Sequence, residues 1–185
     1  MIGPIATERL ILRQWKENDL FPFYKLNSDP EVMEFFPALL SREESDEFAS
    51  EIRLRIDENG WGLWAVEEKK SKQFIGFVGL NQPRIELPFN PCIEVGWRLS
   101  KEYWGKGYAA EAGKKALEYA FDVLAINEVV SFTATINKRS EAVMQRLGLV
   151  NAHGNFNHPA IPPHSQLCEH ILYKISLEQW RASGT

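Results

Sequence analysis

The chain has 185 residues, 44% of them hydrophobic and 25% charged, with a formal net charge of −4. That is enough for one domain with a full core and short for two, so residues 1–185 are expected to form a single domain. The acidic balance, with no block of like charge, argues against nucleic acid as the main partner. No apolar run reaches membrane-spanning length, and the opening MIGPIATERL lacks the charged-then-apolar pattern of a secretory signal. Two cysteines, Cys92 and Cys168, make no disulfide framework, so a reducing cytoplasm is the default setting.

In chain order, TERLILRQW reads as a strand, with Leu10 and Leu12 on one face and Ile11, Arg13 and Trp15 on the other. Asn18 or Asp19 is placed to cap a helix carrying Leu20, Phe23, Tyr24 and Leu26, which Asp29-Pro30 turns or ends. The apolar piece EVMEFFPALL follows and reads as a hydrophobic lid over the core. Ser41 and Glu44 form a capping box ahead of a helix to Asn59, with Phe48, Ile52 and Ile56 as its apolar stripe and Gly60 as its stop. Strands are expected at 61–67 and 73–80, joined by a polar hairpin of Lys69, Lys70, Ser71 and Lys72. Gly76 and Gly79 inside the second strand mark a bulge or a close backbone approach. The proline-rich loop 81–91 is apolar enough to pack on the core or to line an entrance.

The segment from Cys92 to Leu124 organises the rest. Ile93, Val95, Trp97 and Leu99 alternate with Glu94, Gly96 and Arg98, the period of a strand. The turn SKEYWGKGYA follows, and then Ala109, Ala112, Ala116, Tyr119, Ala120 and Val123 recur at helical spacing from Tyr108 to about Leu124. A strand, a glycine turn and a helix N-terminus together present unpaired N–H groups and a partial positive charge, a setting for an anion. A strand at 128–135 comes next, then a helix capped by Asn137 and ended by Gly148. The tail ends in the strand HILYKI and the helix start SLEQW. It holds His153, His158, His164, Cys168 and His170, but only Cys168 and His170 lie close together, and at strand rather than ligand spacing, so no metal is expected.

The segment EVGWRLSKEYWGKGYAAEA resembles the phosphate-binding core of the Gcn5-related N-acetyltransferases, whose loop carries Q/R-x-x-G-x-G/A. Trp104 stands at the first position, a departure, but W-G-K-G-Y-A-x-E-A is similar to the ribosomal-protein-alanine acetyltransferase branch. The opening T-x-R-L-x-L-R-x-W is similar to the first strand of that branch, and Asn137, Ser140, Gly148 and Leu149 match the family's second landmark. The resemblance implies a mixed α/β fold with a mostly antiparallel sheet, flanking helices, and a splay between two central strands. It also implies a site at the EVMEFFPALL segment's border for an amine acceptor.

By the same resemblance the cosubstrate is acetyl-coenzyme A, with no metal. Its pantetheine arm is expected to pair with the strand at Val95, Trp97 and Leu99. The N–H groups of Trp104, Gly105, Lys106, Gly107, Tyr108, Ala109 and Ala110 are expected to hold the pyrophosphate, with Asn137 and Ser140 nearby. The Val95 N–H is the expected donor to the thioester oxygen, and Glu94 the expected general base, with His158 and His170 as further candidates. The family's usual tyrosine acid is replaced by Met144. The activity implied is acetyl transfer to a primary amine, at a protein N-terminus or on a small molecule, by a monomer or homodimer without membrane or nucleic-acid partners. An inactive acyl-coenzyme-binding domain on the same fold is the alternative.

Overall fold

A computed structural model describes residues 3–184; Met1, Ile2 and Thr185 lie outside it. The strands are β1 (Ile5–Ala6), β2 (Leu10–Arg13), β3 (Leu63–Glu68), β4 (Phe74–Asn81), β5 (Glu94–Leu99), β6 (Glu128–Ala134), β7 (Val150–Asn151), β8 (Phe156–Asn157) and β9 (Glu169–Ser176). The helices are α1 (Leu20–Asn27), α2 (Arg42–Asn59), α3 (Tyr108–Glu118), α4 (Lys138–Arg146) and α5 (Leu177–Ala182). One sheet runs β1-β2-β3-β4-β5-β6-β9-β7, with β8 also on β9. Every pairing is antiparallel except β5 with β6, which is parallel and registers only at Glu94 and Val130. This is the mixed, mostly antiparallel α/β sheet with a central splay.

Helices cover both faces, as the alternation of each strand requires. On one face α1 and α2 meet an aromatic cluster in which Trp15 lies 4.7 Å from Phe23 and 5.3 Å from Phe74, and Phe48 lies 6.2 Å from Phe77. On the other, α3 lays fully buried Ala112 and Ala116 over β4 and β5. Small residues let that helix sit close: a Cβ at Gly113 would stand 2.9 Å from Leu147 of the neighbouring α4 segment. The close approach expected in β4 is present. A Cβ on Gly76 would meet the Arg98 carbonyl at 2.1 Å, and one on Gly79 the Gly62 carbonyl at 2.0 Å, while the register slips between Val66 and Glu67 beside Gly76.

Three local expectations change. Asp19 does not cap α1; it is 3% exposed and accepts two hydrogen bonds from Arg13, at 2.6 and 2.9 Å. The reason is that Arg13, also bonded to Glu67, is a half-buried cation in need of carboxylates. The EVMEFFPALL segment divides: Val32 and Met33 are buried, while Phe35, Phe36 and Pro37 line a cleft. The helix from Tyr108 continues past Glu118 as a π-helical turn over Tyr119–Val123. The loop 81–91 packs through Leu87 and through Phe89, whose ring is 5.0 Å from Phe156.

Candidate active site

The glycine turn is held in shape from outside. Gly105 and Gly107 have φ of 71° and 81°, the left-handed region that a side chain resists. The first backbone bond of α3 runs from the Glu111 N–H to the Gly107 carbonyl at 3.0 Å, so Tyr108, Ala109 and Ala110 have N–H groups with no acceptor within the helix. Arg9 braces this turn. It bonds Glu111 through Nε at 2.6 Å, bonds the Lys106 carbonyl through Nη1 at 2.9 Å, and lies 4.5 Å over the Tyr108 ring. Glu111, which the Thr7 hydroxyl and the Arg9 N–H also reach, is held below the usual carboxylate range despite its burial. The turn therefore stays preorganised while its free N–H groups face outward, which fits a diphosphate.

The edge of β5 is open for the same kind of reason. The Ser100 N–H bonds the Ile75 carbonyl at 2.9 Å, and antiparallel pairs alternate, so Arg98, Gly96 and Glu94 bond β4. Val95, Trp97 and Leu99 then aim their N–H and C=O groups at β6. The Ile93 carbonyl takes the Val130 N–H at 2.9 Å. The parallel pair of Glu94 with Val130 also turns the Val95 N–H onto the Val130 carbonyl, so Val95 is not the open donor expected. Beyond that the strands part with no further register pair, and Trp97 is the first open N–H. The gap opens into a cleft of about 690 Å³ that runs through the sheet, walled on one side by Glu94, Gly96 and Arg98 and on the other by Tyr108, Val143 and Met144. An elongated ligand with amide groups and a terminal diphosphate fits this line of free backbone groups.

Side chains make the other half of the cleft. Glu94 accepts a 3.1 Å bond from Asn81 Nδ2, and Asn81 Oδ1 accepts one of 3.1 Å from Arg55 on α2, which fixes the orientation of the amide. Burial raises the Glu94 carboxyl to about 7, with the Asn81 bond pulling it back. His170 is buried to 8% exposure; its Nδ1 donates to the Cys168 carbonyl at 3.2 Å, and burial lowers it to about 4. His158 is lowered in the same direction by burial, and its ring centre lies 4.8 Å from that of His170. Both imidazoles border the cleft beside Phe132 and are neutral at physiological pH. The proton-accepting power matched to neutral pH therefore sits on Glu94.

Several expected residues take other parts. The Trp104 N–H is used by the Lys101 carbonyl at 3.0 Å, and its indole N–H by the Leu99 carbonyl at 2.8 Å. Trp104 thus closes the inner end of the strand edge, and neither its N–H nor the Leu99 carbonyl is free for a ligand. Asn137 lines the cleft, but its carbonyl caps α4 through the Ser140 N–H at 3.1 Å. Its amide donates to Thr133 at 2.9 Å and to the Ser140 hydroxyl at 3.1 Å, so the local helix start already uses it. The Lys106 ammonium lies 5.2 Å over the Tyr103 ring. Met144, at 1% exposure, fills the wall where a tyrosine acid would stand. Arg9, Asn81 and Arg98 went unnoticed in the sequence, although Arg98 shares the strand parity of Glu94. Among the described residues no three His, Cys, Asp or Glu side chains gather as a metal site, and no helix is long and apolar enough to cross a membrane.

Known proteins carry the same architecture. An acetyltransferase of the GNAT family from Bacillus anthracis superposes with a TM-score of 0.79 at 22% identity, covering 95% of this chain and 99% of that one. A ribosomal-protein-S5-alanine acetyltransferase from Vibrio fischeri does so with a TM-score of 0.75 at 19% identity, covering 97% and 99%. At such identities the likeness speaks for the fold. In sequence, the FsC-acetyl coenzyme A-N(2)-transacetylase of Aspergillus fumigatus is 32% identical over 165 residues, covering 84% of this chain and 68% of that protein. Residues 9–150 match the family model described as an acetyltransferase (GNAT) domain, and the chain belongs to the GNAT N-acetyltransferase family.

Proposed function

We propose that the protein moves the acetyl group of acetyl-coenzyme A to a primary amine by direct attack, with both substrates bound in the one cleft. The observation that carries this reading is the placement of a proton acceptor at about 7, Glu94, on the strand whose open N–H at Trp97 faces the same cleft. When bound, the coenzyme supplies an activated acyl thioester, so the chain needs no nucleophile of its own. The N–H group of Trp97 and those of Gly107 to Ala110 hold it. The Trp97 N–H also donates to the acyl oxygen as charge gathers there. A Glu94 oxygen takes the proton of the acceptor ammonium, directly or through one water, and leaves the nitrogen lone pair free to attack.

Asn81 and Arg55 hold the carboxylate in place. The acceptor enters under the segment bearing Phe35, Phe36 and Pro37. A relative that carries FsC and N(2) in its name fits an amine acceptor, and a peptide or protein N-terminus is the preferred class here. The proposed setting is cytoplasmic. Met144 at the tyrosine position favours the second reading, an acyl-coenzyme-binding domain without turnover. The two part on one measurement. Free thiol released from acetyl-coenzyme A in proportion to an added peptide amine supports transfer, and coenzyme binding without amine-dependent thiol supports the second reading.

A further inference from the structure

The least explained charge in the cleft belongs to Arg98. The residue is 9% exposed and has no carboxylate partner among the described residues. Its Nη1 donates at 2.6 Å to the Asn27 carbonyl oxygen, a neutral acceptor fixed by the Asn27 amide bonding Ser45 at 2.9 Å. Its Nε is buried with no acceptor, and Nη2 has no hydrogen bond among the described residues. Phe36 covers the guanidinium face at 3.9 Å and Phe77 lies at 5.4 Å, which occupies the planes of the group and leaves in-plane N–H groups unused. A buried cation without a counter-ion is costly, and a leucine or methionine would fill the same space without that cost.

The floor of the cleft gives this charge a context. Glu94, Gly96 and Arg98 are successive residues on one face of β5. A Cβ on Gly96 would touch only Glu94 Oε1, at 3.7 Å, so the Glu94 carboxylate leans over Gly96 and no other side chain crowds the floor there. Arg98 lies four steps of extended strand beyond Glu94, about 13 Å between their Cα atoms. Neither charge perturbs the titration of the other; burial alone lowers the Arg98 guanidinium, to about 9. An extended chain of two or three residues with a carboxylate side chain spans that Cα separation.

We propose that Arg98 is the anion-recognising residue of the acceptor subsite, and that the preferred acceptor is a peptide amine with a carboxylate side chain two or three residues from its N-terminus. The inference rests on the reading of the cleft as an acceptor site. Glu94 meets the amine, the backbone crosses the floor at Gly96, and the carboxylate takes the unused in-plane N–H groups of Arg98 as Phe36 shifts on its irregular segment.

Two tripeptide amides test it, alanine-glycine-glutamate and alanine-glycine-glutamine, each also in N-acetylated form. In thiol-release assays the glutamate peptide is expected to have a KM lower by at least about tenfold. By calorimetry with coenzyme A present, its acetylated form is expected to bind tighter by the same factor. Arg98→Gln should erase both preferences and Arg98→Lys should keep part of them, with circular dichroism confirming that each variant is folded. Equal binding of the two acetylated peptides to the unaltered protein would overturn the proposal without reference to any variant. Absence of amine-dependent thiol would instead sink the transfer reading, and the calorimetric comparison would still decide the role of Arg98.

Discussion

The two halves of the cleft are built from different material. The half along β5 and the glycine turn uses backbone: open N–H groups at Trp97 and at the start of α3, set by strand parity and helix geometry. The half under α1, α2 and the segment between them uses side chains: Glu94 held by Asn81, Arg98 held by Asn27, and neutral His158 and His170 beside Phe132. Backbone donors are the same whatever the side chain, so the first half suits a ligand common to a whole family. Side chains can vary while the fold stays, so the second half is where an acceptor would be chosen.

The sharpest way to break this division is to fill the backbone half. Gly107→Glu places a negative side chain where a diphosphate would sit and forces a non-glycine residue to φ of 81°. The strain is about 1–2 kcal/mol, affordable to the fold. Coenzyme binding, followed by calorimetry, should be lost in a protein that still unfolds cooperatively. Unchanged affinity would take the turn out of the site.

Glu94→Gln should act on the other half alone. Turnover is expected to fall by about two to four orders of magnitude, with coenzyme affinity retained and part of the rate recovered at high pH. Stability should move the opposite way. The folded carboxyl titrates at about 7 against an ordinary 4.5, so the folded protein holds that proton longer than the unfolded chain does. Stability therefore declines as pH rises from 4.5 through about 7. The glutamine variant, free of this loss, should be more stable at pH 8 by up to about 3 kcal/mol in urea unfolding. A variant with normal turnover, or one less stable than the parent at that pH, would contradict the assignment.

A smaller effect follows at Asn81, which donates to the charged form of Glu94. Asn81→Leu removes that bond, so the rising limb of kcat/KM against pH should move from about 7 toward about 8. A limb that stays in place would mean that Asn81 only fills space. The mildest change is Arg9→Ala. Arg9 is 42% exposed and touches the turn through Glu111, the Lys106 carbonyl and the face of Tyr108. Its loss should raise the coenzyme Kd by about two- to tenfold, with the acceptor KM unchanged.

The backbone half was legible in the sequence because its signals are local. The change from a period of two to helical spacing around Gly105 and Gly107 marks strand, turn and helix without reference to any other segment. Parity along Ile93 to Leu99 separates the residues that face α3 from those on the acceptor face. The capping residues Ser41 and Asn137 were equally readable, since a cap bonds only a few residues away. Tertiary structure alone decided the rest. That Arg9 braces a turn nearly a hundred residues away, that Trp104 bonds the Leu99 carbonyl, and that Asp19 serves Arg13 and the Lys16 N–H rather than the start of α1 are outcomes of packing. So is the pairing of Asn81 with Glu94, which depends on the register of β4 against β5. The raised carboxyl of Glu94 and the unpaired guanidinium of Arg98 are properties of burial, and burial is set by the elements folded over a residue rather than by its neighbours in the chain.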